Sequence, residues 1–434
     1  MNELQTNKYS LRTMINIHWF PLASQGNVYS MSKLCSSHGT NKILVASLKR
    51  KIFSCGYQLN ENNTLRPLVK ELLFTYIPSG AEIISIDAYN KQHYDEDFVI
   101  GITIIKPNSE GRVETYLNIY SEGAGEIENA ETSIETIAQN CLTVELTYTP
   151  YLLYHTSIRD EEIGEEVVWL ISGDDNQLHM IREDKLSHGY TEFQLDKYFP
   201  ELINLETLVL WINVYYYDNG KRRLTAVACE CGLVKISMIN VENLEIIHEW
   251  MLRYDKPVTS VQIFPQHSDG MFYSFSDNVK TTKDESTSQP IINILVVTAL
   301  DPAIVFMDVL RHKLRKDVIL RLGDTTECLL SSYIADVNMD GNNEILLGTY
   351  TQEIVVFTLI KNQWQLTDRR KFDAPIHSMC YLDLTGDGVR ELVVLTQRGV
   401  YILQHDPKYV NQLWTNRLKK LMQKSCNENK IIEK

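Results

Sequence analysis

Two stretches near the end of the sequence are built alike: DVNMDGNNEILLGTY at residues 336–350 and DLTGDGVRELVVLTQ at residues 383–397. Each begins with a nine-residue loop that carries aspartate and glycine, and each continues directly into an apolar run of the kind that forms β-strands. The two loops start 383 − 336 = 47 residues apart. A fixed offset between similar segments indicates consecutive copies of one structural unit.

Short apolar runs of this kind recur along the sequence, each followed after a polar turn by a second run. The seven clearest are residues 43–48, 98–105, 167–171, 224–228, 292–299, 344–350 and 391–397. Successive starts differ by between 391 − 344 = 47 and 167 − 98 = 69 residues, which suits propeller blades with loop insertions. We therefore predict an all-β fold, a seven-bladed β-propeller with a short C-terminal α-helix. Two or three stacked β-sandwiches are the alternative.

The predicted organisation has three parts: an N-terminal extension at residues 1–24, the propeller at residues 25–405, and a basic amphipathic helix and tail at residues 406–434. Residues 276–289 (SDNVKTTKDESTSQ) are polar and rich in Ser and Thr, so we expect a mobile loop there, either a solvated insertion or a phosphorylation segment. Thr132 and Glu135 form a capping box, which predicts a short helix within residues 122–141.

The charge is unevenly distributed along the chain. The sequence has 42 Lys and Arg against 56 Asp and Glu, a net charge of −14. Residues 407–434 hold seven basic and two acidic residues, 7 − 2 = +5, so the remainder carries −14 − 5 = −19. Because phosphate backbones are bound by net positive surfaces, this balance argues against a nucleic-acid partner.

The N-terminal sequence shows no pattern of a secretory signal, and the apolar runs are too short to span a bilayer. The eight cysteines show no zinc-type spacing and are expected to be reduced thiols. We therefore expect a cytoplasmic protein without a transmembrane segment.

The two nine-residue loops resemble the FG-GAP calcium loops of integrin-α propellers, in which alternate positions supply oxygen ligands. Hard oxygen donors around a glycine turn suit Ca²⁺, which is the one cofactor that the sequence suggests. Alternatively, the aspartates accept backbone hydrogen bonds in Asx-turns and brace the strand entry without a metal. The candidate ligands are Asp336, Asn338, Asp340, Asn342 and Glu344 in the first loop, and Asp383, Thr385, Asp387, Val389 and Glu391 in the second.

The C-terminal segment has helical periodicity. Its apolar residues recur at intervals of three and four, whereas most of its cations lie elsewhere on the helical wheel. The apolar face packs on the propeller, docks on a partner, or lies on an anionic membrane; the first two alternatives are ranked equally and the third below them. The predicted docking residues are Val410, Leu413, Trp414, Leu418, Leu421 and Met422.

The catalytic motifs sought in the sequence, HExxH, a P-loop, GxSxG and a CxxC pair, are absent from it. We therefore predict a non-enzymatic protein. An interaction scaffold, an actin-binding module and a Ca²⁺-dependent adhesion propeller are the functional alternatives, and the missing secretory signal argues against the last.

Several longer strings resemble the kaptin family: KELLFTYIP (70–78), AEIISIDAYNK (81–91), IETIAQNCLTVELTYTP (134–150), LDLTGDG (382–388) and GVYILQH (399–405). The resemblance covers nearly the whole chain. It implies a non-enzymatic scaffold subunit of the KICSTOR complex on the lysosomal membrane surface. That complex recruits GATOR complex 1 and restrains mTOR complex 1 when amino acids or glucose are short.

The implied partners are the other KICSTOR subunits, namely a second FG-GAP propeller subunit and the large seizure-threshold subunit, together with GATOR complex 1. The resemblance implies one alternative function, association with actin filaments in lamellipodia and stereocilia.

Overall fold

Seven four-stranded antiparallel sheets make up the computed structural model of the chain. The structure describes residue 11 and residues 14–35, 41–60, 64–90, 98–108, 110–121, 134–160, 164–184, 189–267, 290–323 and 327–432. The predicted seven-bladed β-propeller is confirmed. The predicted loop at residues 276–289 lies outside the described residues.

Blades 1 to 6 each consist of four consecutive strands, and blade 7 is completed by the first strand of the chain. In chain order the strands are β1 (Ile15–Pro21), β2 (Met31–Leu34), β3 (Lys42–Ala46), β4 (Ile52–Leu59), β5 (Leu65–Leu72), β6 (Glu82–Asn90), β7 (Phe98–Pro107), β8 (Val113–Tyr120), β9 (Cys141–Leu146), β10 (Pro150–Asp160), β11 (Gly164–Gly173), β12 (Leu178–Asp184), β13 (Gly189–Phe193), β14 (Val209–Tyr217), β15 (Arg222–Cys229), β16 (Leu233–Asn240), β17 (Glu245–Arg253), β18 (Val258–Pro265), β19 (Ile292–Thr298), β20 (Ala303–Phe306), β21 (Asp317–Leu320), β22 (Leu329–Ala335), β23 (Glu344–Thr349), β24 (Glu353–Ile360), β25 (Gln363–Lys371), β26 (Ile376–Leu382), β27 (Glu391–Thr396) and β28 (Gly399–Gln404).

The seven apolar runs seen in the sequence are the second strands of the seven blades, namely β3, β7, β11, β15, β19, β23 and β27. Every residue of β19, β23 and β27 is buried, because these strands lie inside a sheet that is covered on both faces by the neighbouring blades. Strands covered on both faces are apolar throughout and do not alternate between apolar and polar residues. They are therefore the clearest apolar runs in the sequence.

The hydrophobic core lies between the blades. One cluster joins Leu346 and Val356 of blade 6 to Leu392 and Val394 of blade 7. Another joins blade 7 to blade 1, where residues of β27 and β28 pack against those of β3 and β4. The second cluster closes the ring, since it places the last blade against the first.

Ring closure also uses the N-terminal strand, which corrects a predicted boundary. β1 pairs antiparallel with β28, with Phe20 opposite Val400 and Pro21 opposite Gly399. The propeller therefore begins at Ile15 and not at residue 25. The prediction missed this strand because blade 7 supplies only three consecutive strands, and a fourth strand from the other end of the chain covers their open edge.

Three α-helices accompany the strands in the part of the chain that the structure describes: α1 (Ile134–Ile137), α2 (Val309–His312) and α3 (Pro407–Ile432). The short helix predicted within residues 122–141 is present as α1, whereas Thr132 of its capping box lies outside the described residues. The predicted C-terminal helix is present as α3, at 26 residues.

Candidate interaction surface

The two aspartate loops and the start of α3 lie on the same face of the propeller. The first loop, residues 336–344, joins β22 to β23 in blade 6, and the second loop, residues 383–391, joins β26 to β27 in blade 7. Leu403 at the end of β28 pairs with Leu392 at the start of β27. α3 therefore begins beside the second loop and next to the blade that carries the first.

The first loop is held by its own carboxylates. Asp336 accepts hydrogen bonds from the backbone N–H groups of Asp340 at 2.9 Å and Gly341 at 2.8 Å. Glu344 accepts from the backbone of Val337 at 3.0 Å and from the side-chain amide of Asn338 at 2.7 Å. These contacts turn the chain sharply between two buried strands.

The second loop repeats the scheme. Asp383 accepts from the backbone N–H groups of Gly386 and Gly388, both at 2.7 Å, and Glu391 accepts from that of Leu384 at 2.8 Å. The hydroxyl of Thr385 also reaches Glu391, at 3.3 Å.

The fourth and sixth positions of both loops have left-handed backbones: Met339 and Gly341 in the first loop, and Gly386 and Gly388 in the second. Met339 departs from the glycine of the FG-GAP pattern, yet it adopts a φ of 58° and its side chain is buried. Burial of an apolar side chain offsets the cost of a conformation that favours glycine.

The last carboxylate of each loop is buried, and its pKa is raised. Burial, together with the charges of Asp340 and Asp336, raises the pKa of Glu344 well above its ordinary value. Burial likewise raises the pKa of Glu391 to about 8, with smaller contributions from Asp387 and Asp383. Low polarity around a carboxyl group disfavours its charged form.

These contacts agree with the alternative in which the aspartates brace the loops. No group of three His, Cys, Asp or Glu side chains within the described ranges is arranged to hold a metal ion. Ca²⁺ binding by the two loops stays a prediction of the sequence, and no step of function is derived from it. Asn342 and Val389 take part through their backbone N–H groups, which donate to Asp340 and Asp387, each at 2.8 Å.

α3 has a well-defined beginning. The carboxylate of Asp406 accepts the backbone N–H of Lys408 at 2.9 Å, and Pro407 takes the first helical position. This is a common start for a helix, because an aspartate cap satisfies an N–H group that has no helical acceptor and proline lacks one.

Two side chains of α3 bind the first loop. The hydroxyl of Tyr409 donates to the backbone carbonyl of Asn338 at 2.9 Å, and the guanidinium of Arg417 donates to that of Met339. Burial raises the pKa of Tyr409 to about 12, and the three carboxylates of the loop add to the effect. The first half of α3 is therefore attached to blade 6.

The predicted apolar stripe of the helix divides into two parts. Val410, Leu413 and Trp414 are half-buried. Leu418 is 50% exposed and Met422 is 66% exposed. The side chain of Leu421 lies outside the described residues. The beginning of the stripe is thus half-buried and its continuation faces solvent, and docking of the stripe on a partner stays a prediction.

Tyr409 and Arg417 were missed as contact residues by the sequence reasoning, which treated Arg417 only as a cation of the polar face. The available signal was their spacing, since residues eight apart lie on the same side of a helix. The buried hydrogen bond at 2.8 Å between Tyr381 and His405 gave no recognisable pattern in the sequence.

Comparison with known proteins agrees with this architecture. The solved structure of BBS1N in complex with ARL6DN matches 91% of this chain and 98% of its own, with a TM-score of 0.53 and 10% sequence identity. Raptor from Chaetomium thermophilum matches 93% of this chain and 30% of its own, with a TM-score of 0.50 and 13% identity. At these identities the similarity concerns the fold alone.

The fold and the site define a seven-bladed propeller with a C-terminal helix. The first half of this helix is attached to blade 6, and the apolar residues that follow are exposed. The sequence profile of the family described as KICSTOR complex protein kaptin matches residues 14–415. The mouse KICSTOR complex protein kaptin is 34% identical over 404 residues, which cover 92% of this chain and 89% of the mouse protein. The chain belongs to the kaptin family, which is not a known enzyme family.

The described part of the chain contains no helix long and apolar enough to cross a membrane.

Proposed function

We propose that the protein is a non-enzymatic scaffold subunit of a KICSTOR complex, which recruits GATOR complex 1 and restrains mTOR complex 1 when amino acids or glucose are short. The membership of the kaptin family supports the assignment to KICSTOR. In this proposal the protein is cytoplasmic and reaches the lysosomal membrane surface through its partners. Those partners are the second FG-GAP propeller subunit, the large seizure-threshold subunit and GATOR complex 1.

The division of α3 into an attached and an exposed part is the observation that carries the proposal. Tyr409 and Arg417 fix the beginning of the helix on blade 6, so the direction of the remainder is set. Leu418 and Met422, four residues apart and both exposed, then share one helical face. A partner that covers this face binds a preoriented helix, which lowers the entropic cost of association.

A rescue experiment tests the function. Cells that lack the native gene are given the wild-type chain, and phosphorylation of an mTOR complex 1 substrate is followed during amino-acid withdrawal. We expect phosphorylation to persist without the protein and to fall when it is restored. An equal fall in both cell lines would contradict the proposal.

Association with actin filaments stays a prediction, and co-sedimentation of the pure protein with filaments at rising salt tests it. Pelleting at low salt that is lost at high salt would favour it, because the basic tail, which has a net positive charge, is attracted to an acidic filament and salt screens that attraction.

A further inference from the structure

A second surface, far along the chain from α3, has the features of a binding groove. A cavity of about 860 Å³ lies beside blade 3. Its walls are the turn between β11 and β12, the strand β13, and the connection that leads to blade 4. We call it the blade 3 groove.

The blade 3 groove is acidic. Asp175, Glu192, Asp196 and Glu206 line it, and none of the described residues in its lining is Lys or Arg. Glu192 and Glu206 have side chains that are 56% and 57% exposed, so a ligand can reach them from solvent. Two cations lie next to the lining: Arg253 pairs with Glu206 at 2.6 Å, and the guanidinium of Arg182 lies 5.3 Å from the centroid of the Phe193 ring.

The groove is also partly apolar. Leu178 and Leu202 are buried in its lining, whereas Phe193 and Ile203 are 39% and 41% exposed. Exposed aromatic and aliphatic side chains in one cavity suit the apolar stem of a long cationic residue. The groove therefore combines an acidic surface with an apolar one.

A buried polar cluster underlies the acidic wall. The two ring nitrogens of His179 contact Glu192 at 2.7 Å and Asp175 at 3.1 Å, and the ring of Tyr148 stacks on it with 3.6 Å between centroids. Tyr148 is 5% exposed and its hydroxyl has no hydrogen-bond partner among the described residues. Burial raises the pKa of Tyr148, and so do the charges of Glu192 and Asp175.

The far wall of the groove is rigidly held. Glu201, in the connection to blade 4, forms a fully buried ion pair with Arg223 of β15 at 2.8 Å, and it accepts the hydroxyl of Thr225 at 2.7 Å. Arg223 also covers the ring of Phe199 at 4.4 Å. The groove is thus largely preformed, as binding sites for small and extended ligands usually are.

We propose that the blade 3 groove binds a basic, partly apolar segment of a partner protein. Charge complementarity selects the cationic side chains, because the four carboxylates attract Lys and Arg and repel anionic ligands. The exposed ring of Phe193 and the side chain of Ile203 accept the apolar part of the segment. The two ring nitrogens of His179 contact different carboxylates, and these groups form no metal-holding set within the described residues.

Fluorescence anisotropy of labelled ten-residue peptides tests the proposal on the full chain. The probe alternates arginine with leucine; one comparison peptide alternates glutamate with leucine, and another alternates arginine with serine. The groove variant is Glu192→Gln/Glu206→Gln, whose side chains are more than half exposed, so that its folding is expected to be intact. The matched control is Glu242→Gln/Glu245→Gln, which removes the same charge from two exposed residues, one in the turn after β16 and one at the start of β17.

We expect the arginine–leucine probe to bind the wild type, and the groove variant to bind it about fivefold to tenfold more weakly, with less than a twofold change in the control. Phe193→Ser is expected to weaken it severalfold, and the arginine–serine peptide is expected to bind less well than the probe. Equal losses in the groove variant and the control, or equal binding of the two arginine peptides, would overturn the proposal, since either result would reduce it to general attraction by an acidic propeller.

Discussion

The hydroxyl of Tyr409 donates a hydrogen bond of 2.9 Å to the backbone carbonyl of Asn338, and this contact ties the C-terminal helix to the loop of a neighbouring blade. Arg417, two helical turns further, donates to the adjacent residue of the same loop, Met339. Together the two contacts turn an amphipathic segment into a helix of fixed direction on one face of the propeller.

Removing both contacts is expected to release the helix. A net contribution of about 1 kcal/mol per hydrogen bond predicts that Tyr409→Phe/Arg417→Ala exchanges amide hydrogens of residues 408–417 at least tenfold faster than the wild type. Hydrogen exchange with mass spectrometry measures this. Lys408→Ala, whose side chain is exposed, is the control, and equal exchange in the two variants would show that the contacts do not hold the helix.

Glu391 is expected to make the stability of the propeller depend on pH. Its pKa is about 8 in the folded protein against an ordinary value of 4.5, so between these values the folded state keeps a proton that the unfolded state loses. Its contribution to stability is complete below the lower value and is lost as the pH rises through the upper one, at up to about 1.4 kcal/mol per pH unit.

Glu391→Gln cannot ionise and is expected to flatten this dependence. Chemical unfolding of both proteins from pH 5 to pH 8.5 measures the difference, with the exposed Glu242→Gln as control. A constant difference between wild type and Glu391→Gln across this range would contradict the shifted pKa.

The ion pair between Glu201 and Arg223 is expected to be costly to break from one side. Both side chains are almost completely buried, so Arg223→Met leaves an unpaired buried carboxylate and is expected to lose about 3–5 kcal/mol of unfolding free energy. Glu201→Leu/Arg223→Met removes both charges and is expected to lose less. Denaturant unfolding of the single and double variants gives their free energies of unfolding. A double variant less stable than Arg223→Met would contradict the reasoning.

The close approach of β1 to β28 is expected to make Gly399 irreplaceable. A Cβ atom on Gly399 would lie 2.5 Å from the backbone oxygen of Phe20 and 2.9 Å from the indole nitrogen of Trp19, so Gly399→Ala has to displace the strand that closes the ring. We expect a loss of about 2 kcal/mol or more, within the range of overpacking effects. Gly26→Ala is the control, since its nearest neighbours are side-chain carbons at 3.4 Å, and similar melting temperatures for the two variants would contradict the role of this contact.

The number of blades could be predicted from the sequence, because the second strand of each blade is buried on both faces and forms a recognisable apolar run. The sequence was insufficient for ring closure, since pairing of Ile15–Pro21 with the other end of the chain leaves no local pattern. The aspartate loops were located correctly, but the partners of their carboxylates could not be read from spacing: backbone bracing and metal binding use the same residues.

The surface features were the hardest to predict. The apolar stripe of α3 follows from periodicity, yet which part of it is covered depends on a loop about 70 residues earlier in the chain. The blade 3 groove was also missed, because Asp175 and His179 read as a charged turn and a strand residue. Their proximity to Glu192 arises from the pairing of β12 with β13, and Glu206 joins them only through the connection to blade 4.

The exposed part of α3 is the centre of the functional account, and recovery of partner subunits tests it most directly. Leu418→Asp/Met422→Asp places two charges on the exposed apolar face, while Gln412→Asp/Asn416→Asp places them at exposed polar positions of the same helix. Each protein is purified from cells that lack the native gene, and the KICSTOR subunits recovered with it are quantified by mass spectrometry. The account predicts at least a tenfold loss of these subunits for the first variant and wild-type recovery for the second; equal recovery with both variants would contradict it.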